Sequence, residues 1–206
     1  MSGLVSVDMA RAVRALVGDP AAGWWDDQQI YDFLSEAQRQ LADRLPDSAV
    51  PELSTIQGRA LSPPTASYDL PDDLLRIRLI VYKGKAARQW PLHELGTLSQ
   101  AGASEDAPVF YVWGSQVVFP FVVTAGSFYI WYTRRPPDIG GNADPVLGAG
   151  HRPVMESFAV SRCWQNIRHE TEASWWMEWF KSQCAAVASR YGDTPPDDGP
   201  AGDPRV

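Results

Sequence analysis

SYDLPDDLLRIRLIVYKGK, residues 67–85, decides the fold class. Its second half alternates apolar and polar residues up to Lys83-Gly84-Lys85, where glycine accepts the positive φ that a tight hairpin turn demands. Two strands joined by a turn follow from that pattern. The first half places Asp69, Asp72 and Asp73 within five positions. Such a cluster suits a hard metal ion held by oxygen ligands or the acid and base of a hydrolytic site. It suits a corner of the fold equally well. In that reading Tyr68 to Leu70 ends one strand, and Pro71 fixes φ for the turn. Asp72 and Asp73 then cap a short Leu74-Leu75 turn by accepting backbone N–H groups. Arg76 opens the next strand, with Ile77, Leu79 and Val81 on one side.

Outward from this stretch, the β signal runs from about residue 51 to 135. Short apolar segments at 53–57, 67–70, 76–82, 86–90, 109–113, 116–119 and 127–133 are separated by Gly, Pro and Ser clusters, the pattern of an antiparallel region. Gly114-Ser115 marks a second hairpin, and Pro91 can open a short helix over 92–100. Helical periodicity flanks the strands. Val5, Met9, Val13, Leu16 and Val17 predict a first helix, which Gly18-Asp19-Pro20 stops. Asp26 or Asp27 caps a second, with Ile30, Phe33, Leu34, Ala37, Leu41 and Leu45 as its apolar stripe and Pro46 at its end. Residues 136–153 are dense in Gly and Pro and read as a long connecting loop. A C-terminal helix pair follows, 154–167 and 171–191, packing with the N-terminal helices. The last segment, GDTPPDDGPAGDPRV (192–206), is Pro/Asp-rich and too poor in apolar residues to order itself. The expectation is an α+β fold, with a central antiparallel β region between helical parts.

The 206 residues are 45% hydrophobic, enough for a substantial core. No apolar run approaches the roughly 20 residues that span a bilayer, and the first residues lack a signal-peptide pattern. A soluble intracellular protein without a membrane partner is expected. Cys163 and Cys184 are too few for a disulfide framework and read as buried thiols. A net charge of −7 and a pI near 4.9 argue against phosphate neutralisation of wrapped nucleic acid. An acidic wall suits a conduit through which DNA slides. Nine tryptophans need burial or a partner.

Sites with chemistry are weak. His93-Glu94 has Thr97 where a zinc-protease helix places its second histidine. Cys163 and His169 lie six positions apart, about 240° around a helix, so they diverge. Gly140-Gly141 lacks the Lys-Ser/Thr of a phosphate loop, and His151 is a lone loop histidine. No catalytic group, cofactor or metal site is expected. A metal-assisted hydrolase using Asp69, Asp72 and Asp73 remains as a lesser alternative, although the run lacks the ligand spacing and turn glycine of a calcium loop.

EASWWMEWFKSQCAAV, residues 172–187, carries more. Trp176, Phe180, Cys184 and Val187 share a helix face, and Trp175 and Trp179 widen it beyond one packing contact. Either all these aromatics fill the chain's own core, or Trp175, Trp176, Trp179 and Phe180 partly anchor a neighbour, since Trp and Arg dominate interface hot spots. Arg134 and Arg135 pose the same choice, between solvated loop arginines and interface residues.

YDLPDDLLRIRLIVY, APVFYVWGSQVVFPF, FYIWYTRRPP, the helix with FLSEAQRQLADRL and the closing helices together resemble the adaptor, or head-tail connector, proteins of tailed bacteriophages. The resemblance spans residues 26–191. It implies a virion structural protein, in a ring of about twelve copies beneath the portal of a DNA-filled capsid. Its partners would be other copies of itself, the portal protein and a tail or nozzle protein, with DNA passing nearby without sequence-specific binding. Its place would be the virion neck, after assembly in the host cytoplasm. Another neck or tail-completion protein is the alternative. The Pro/Asp-rich segment departs from the usual pattern, which leaves the last helix and that segment both open as portal contacts.

Overall fold

In a computed structural model, which describes residues 5–94 and 102–191, the chain is α+β and divides into two units. One comprises Met1–Leu53 and Pro136–Val206, the other Ser54–Arg135.

The first unit is helical. Helix α1 spans Val5–Val17, α2 Asp27–Arg44, α3 Arg152–Asn166 and α4 Glu170–Tyr191. Asp26 caps α2 in a full capping box: its carboxylate accepts the Gln29 N–H at 2.7 Å, and the Gln29 side chain accepts the Asp26 N–H at 3.0 Å. In α1 the inward face is Ser6, Met9, Ala10, Val13, Arg14 and Val17, whereas Val5 and Leu16 are exposed. The expected stripe therefore rotates, because Arg14 is buried and paired. It meets Asp19 at 3.4 Å and Asp27 at 2.7 Å. Asp19 also accepts the N–H groups of Gly23, Trp24 and Trp25. Burial pushes the Asp19 carboxyl up, but those three N–H groups and Arg14 outweigh it and leave it below its ordinary range.

Helix α3 is the central element. Eight of its fifteen residues are buried, and it packs against α1, α2 and α4. It starts at Arg152, two residues earlier than expected, after a 3₁₀ turn at Ala149–His151. The segment before it is pinned and not merely a solvated loop. Gln38, fully buried, donates to the Pro137 carbonyl at 2.9 Å and accepts from Val146 N–H at 2.8 Å. Ser35 accepts from Ile139 N–H at 2.8 Å. Ile139 and Leu147 are consequently buried. His151 is buried too, with Nε2 3.1 Å from the Ala49 carbonyl. Arg168, at φ +63°, breaks the chain between α3 and α4.

The second unit is one seven-stranded sheet. Its strands are β1 (Ser54–Leu61), β2 (Ser67–Asp69), β3 (Leu74–Tyr82), β4 (Lys85–Gln89), β5 (Val109–Trp113), β6 (Gln116–Val118) and β7 (Gly126–Arg134), in the order β1-β7-β3-β4-β5-β6-β2. All neighbours are antiparallel except β4 and β5. Both expected hairpins form: Tyr82 pairs with Lys85 around Lys83 and Gly84, at φ +47° and +81°, and Trp113 pairs with Gln116 around Gly114 at φ +59°. In a flat sheet, β7 and β2 would lie five spacings apart, about 24 Å. The Tyr68 and Phe128 rings are 5.1 Å apart. The sheet is therefore rolled, closing over a core of Leu61, Ile80, Tyr82, Phe110, Val117, Phe119, Phe128, Ile130 and Tyr132.

Two details of the opening stretch depart from expectation. Strand β3 begins at Leu74, directly after a turn in which Leu74 N–H reaches the Pro71 carbonyl at 3.0 Å. Its inward side chains are Ile77, Ile80 and Tyr82, with Leu79 and Val81 turned the other way. A register shift between Ile77 and Leu79 inserts one residue, and one residue reverses the facing of all that follow. Leu92–Glu94 form a 3₁₀ turn; the remainder of the helix expected over 92–100 lies outside the described residues, as does the 192–206 segment.

Candidate assembly interface

Helix α4 presents its aromatics on two sides. Successive residues turn by 100°, so Phe180 and Cys184 point inward with Ala173, and all three are buried. Phe180 packs edge-on against Phe158 of α3, ring centroids 4.9 Å apart, and Arg44 lies over its other face at 5.8 Å. Phe180 thus anchors the helix within its own unit, and the surface it was expected to share is carried by its neighbours. Trp176 is half-buried beside it. Trp175 and Trp179, one helical turn apart, face outward at 60% and 46% exposure. Their rings stack at 6.2 Å and 8° between planes, and Trp175 meets Trp176 edge-on at 4.9 Å. Further along this side stand the exposed small residues Ser182, Ala185 and Ala186.

In the β unit, the outer face of the sheet carries aromatics that the sequence reading passed over. Ile56 and Trp131 sit directly opposite each other on β1 and β7, at 54% and 43% exposure. Tyr129, exposed, lies opposite Gly58, where a Cβ would meet the Tyr129 ring at 3.0 Å. A side chain there would make that ring shift from its place across the strand. The signal was present in SFYIWYT, which is apolar at every position from 128 to 132 and so asks for cover on both faces of the strand, not only on the core side.

Arg134 ends β7, half-buried, and Arg135 follows it, exposed. Their corner is fixed by Asp73. Its carboxylate accepts the Tyr132 hydroxyl at 2.9 Å, and its carbonyl accepts the Arg135 N–H at 2.6 Å. Burial first, then the hydrogen bond to Asp73, pushes the Tyr132 phenol up to about 12, while Arg134 and Arg59 pull against them. Asp69 instead accepts from the Gln116 amide at 2.9 Å. The two carboxylates serve separate neutral donors, and among the described residues no three His, Cys, Asp or Glu side chains gather as a metal site.

The other weak candidates do not converge either. Cys163 is buried, its thiol pushed up to about 12 by desolvation. His169 lies tilted against Trp164, ring centroids 5.5 Å apart and planes at 55°. His93 is exposed beside Glu94. A shallow groove between α2 and α3, lined by Gln29, Asp32, Phe33 and Gln165, is crossed by the Arg162–Glu36 ion pair.

The large apolar side chains these surfaces expose are Ile56, Trp131, Trp175 and Trp179. The model of the SU10 adaptor protein family matches residues 7–194. The chain belongs to that family. It is a bacteriophage structural adaptor and hence a virion component, associated with other virion proteins. Its family is one of phage structural adaptors. No curated protein matches the chain significantly. Among the described residues no helix is long and apolar enough to cross a membrane.

Proposed function

We propose that this adaptor forms a ring of about twelve copies at the capsid vertex, with the portal protein on one side and a tail or nozzle protein on the other. DNA passes through the ring without base-specific contacts. The observation that carries this reading is the outward Trp175–Trp179 stack on a helix whose inward face is already filled. In a cyclic assembly every copy buries two different patches, and stacked indoles are the anchor side chains such a contact favours. Family membership supplies the setting. The net charge of −7 supports the passage, because a like-charged wall repels the duplex.

The test is to mix the purified chain with portal-bearing, tailless capsids and image the vertex. A ring of density on the portal is expected. Bare portals at every protein concentration would refute the reading, whereas a monomer in isolation would not, since the portal can act as the assembly template.

A further inference from the structure

Charge is divided unevenly between the two units. Residues 54–135 hold eight Lys and Arg against six Asp and Glu, net +2, and the remainder holds ten against nineteen, net −9. Residues 192–206 contribute to that excess with four Asp against one Arg.

The β unit carries the opposite sign. Arg59 points along the inward face of β1, and its guanidinium reaches Gln57 Oε1 at 3.3 Å. Arg134 ends the adjacent β7, and both guanidiniums act on the same Tyr132 hydroxyl. The Nε atoms of Arg59 and Arg134 are buried without a hydrogen-bond partner. No described carboxylate forms an ion pair with Arg59, Arg134 or Arg135: Asp73 is engaged by Tyr132, and Asp72 stands exposed on the turn. The single Asp73 carboxylate beside the Tyr132 hydroxyl leaves the corner with more guanidiniums than carboxylates, and an arriving carboxylate can meet them with charge-assisted, two-pronged hydrogen bonds.

We propose that Arg59, Arg134 and Arg135 form a docking site for the aspartates of the 192–206 segment of a neighbouring copy. This rests on the ring reading above, and it gives the ring contact a direction, from the acidic segment of one copy to the basic corner of the next. The segment suits the role by its charge, because each of its four Asp carboxylates can meet a guanidinium of the corner in a charge-assisted pair.

The probe is a labelled peptide of sequence GDTPPDDGPAGDPRV, titrated with the full chain at low micromolar concentration and read by fluorescence anisotropy. Saturable, salt-sensitive binding is expected, weakened about tenfold by combined Arg59→Gln and Arg134→Gln, and lost when the four Asp are replaced by Asn. In the charge swap, a chain with Arg59→Glu and Arg134→Glu should reject the native peptide and bind one with the four Asp replaced by Lys. A swapped chain with native circular dichroism that binds neither peptide overturns the proposal. So does equal binding of the Asn peptide, or no binding by about 1 mM. A segment docked within its own copy would leave no vacant site for the peptide, which also counts against it. Arginine-dependent binding of a DNA duplex in place of the peptide would reassign the corner to phosphate. Because no capsid is present, failure here leaves portal decoration intact as a test of the ring, and bare portals leave peptide binding intact as a test of the corner.

Discussion

Replacing Trp175 and Phe180 in parallel separates assembly from folding, because the two residues lie on opposite sides of one helix. Phe180 is fully buried against Phe158. Phe180→Ala should cost about 3–5 kcal/mol through lost contacts and the cavity left behind. For a chain of this size that lowers Tm by roughly 6–20 °C. Trp175 is 60% exposed, so of its roughly 250 Å² about 150 Å² remains open for a partner. At ~25 cal/mol/Å² that area contributes up to about 3–4 kcal/mol to one subunit contact, before ordering costs. Trp175→Ala should therefore leave Tm within about 2–4 °C of the parent while weakening association on the order of a hundredfold. Thermal unfolding followed by far-ultraviolet circular dichroism reads the first quantity. Ring occupancy of portal vertices against protein concentration reads the second. If Trp175→Ala lowered Tm as much as Phe180→Ala and left occupancy unchanged, α4 would be a purely internal helix and the interface argument would be wrong.

Glu105 is held down to about 2 by its hydrogen bond to Lys83, then by those to Thr124, with Tyr82 also donating to it. A depressed folded pKa stabilises above the unfolded value and is lost as pH falls, so Glu105→Gln should destabilise at pH 7. The gap in denaturation midpoint should close between about pH 4.5 and pH 2. Asp26→Ala removes the capping box of α2 and should cost about 1 kcal/mol in urea unfolding; no change would mean the box is idle. Native Cys163 and Cys184, with thiols pushed up by burial to about 12 and about 11, should resist thiol reagents at pH 8 until the chain unfolds. Divalent metal should leave Tm unchanged with or without Asp72→Ala, whereas a concentration-dependent rise abolished by that substitution would revive a metal site in the corner.

Helices, hairpins and the turn at Pro71 were legible because each rests on local chemistry: period, caps and turn glycines; the expected Asp72 and Asp73 caps of a Leu74-Leu75 turn were not, since those leucines open β3, the backbone closes the turn and the Asp73 carboxylate accepts the Tyr132 hydroxyl. What escaped the sequence is non-local. The register shift in β3 reverses the facing of Ile80 and Tyr82, and nothing in LLRIRLIVY marks where the extra residue falls. The burial of Arg14 depends on Asp19 and Asp27, thirteen positions apart at most but joined only when α1 and α2 meet. Residues 136–148 look like a solvated loop because the groups that pin them, Ser35 and Gln38, lie about a hundred positions earlier. Within the candidate interface, helical spacing alone grouped Trp175, Trp176, Trp179 and Phe180 as one widened face. Only packing separates Phe180, which holds the helix, from Trp175 and Trp179, which face away from it.

The aspartates of residues 67–85 gain their meaning from the same non-local pairings. Asp73 joins the first residue of β3 to the last of β7 through the Tyr132 hydroxyl and the Arg135 N–H. Asp69 ties β2 to β6 through Gln116. In a rolled sheet whose order separates β7 from β2 by five spacings, both ends of the roll need fixing, and a carboxylate with two strong acceptor oxygens does so at a turn where backbone pairing stops. The same fixing determines where Arg134 and Arg135 emerge. If adaptor rings are built by one copy's acidic segment meeting the next copy's arginines, the corner's acids belong to assembly after all: they hold the basic groups in position, and the carboxylates that bind there come from elsewhere.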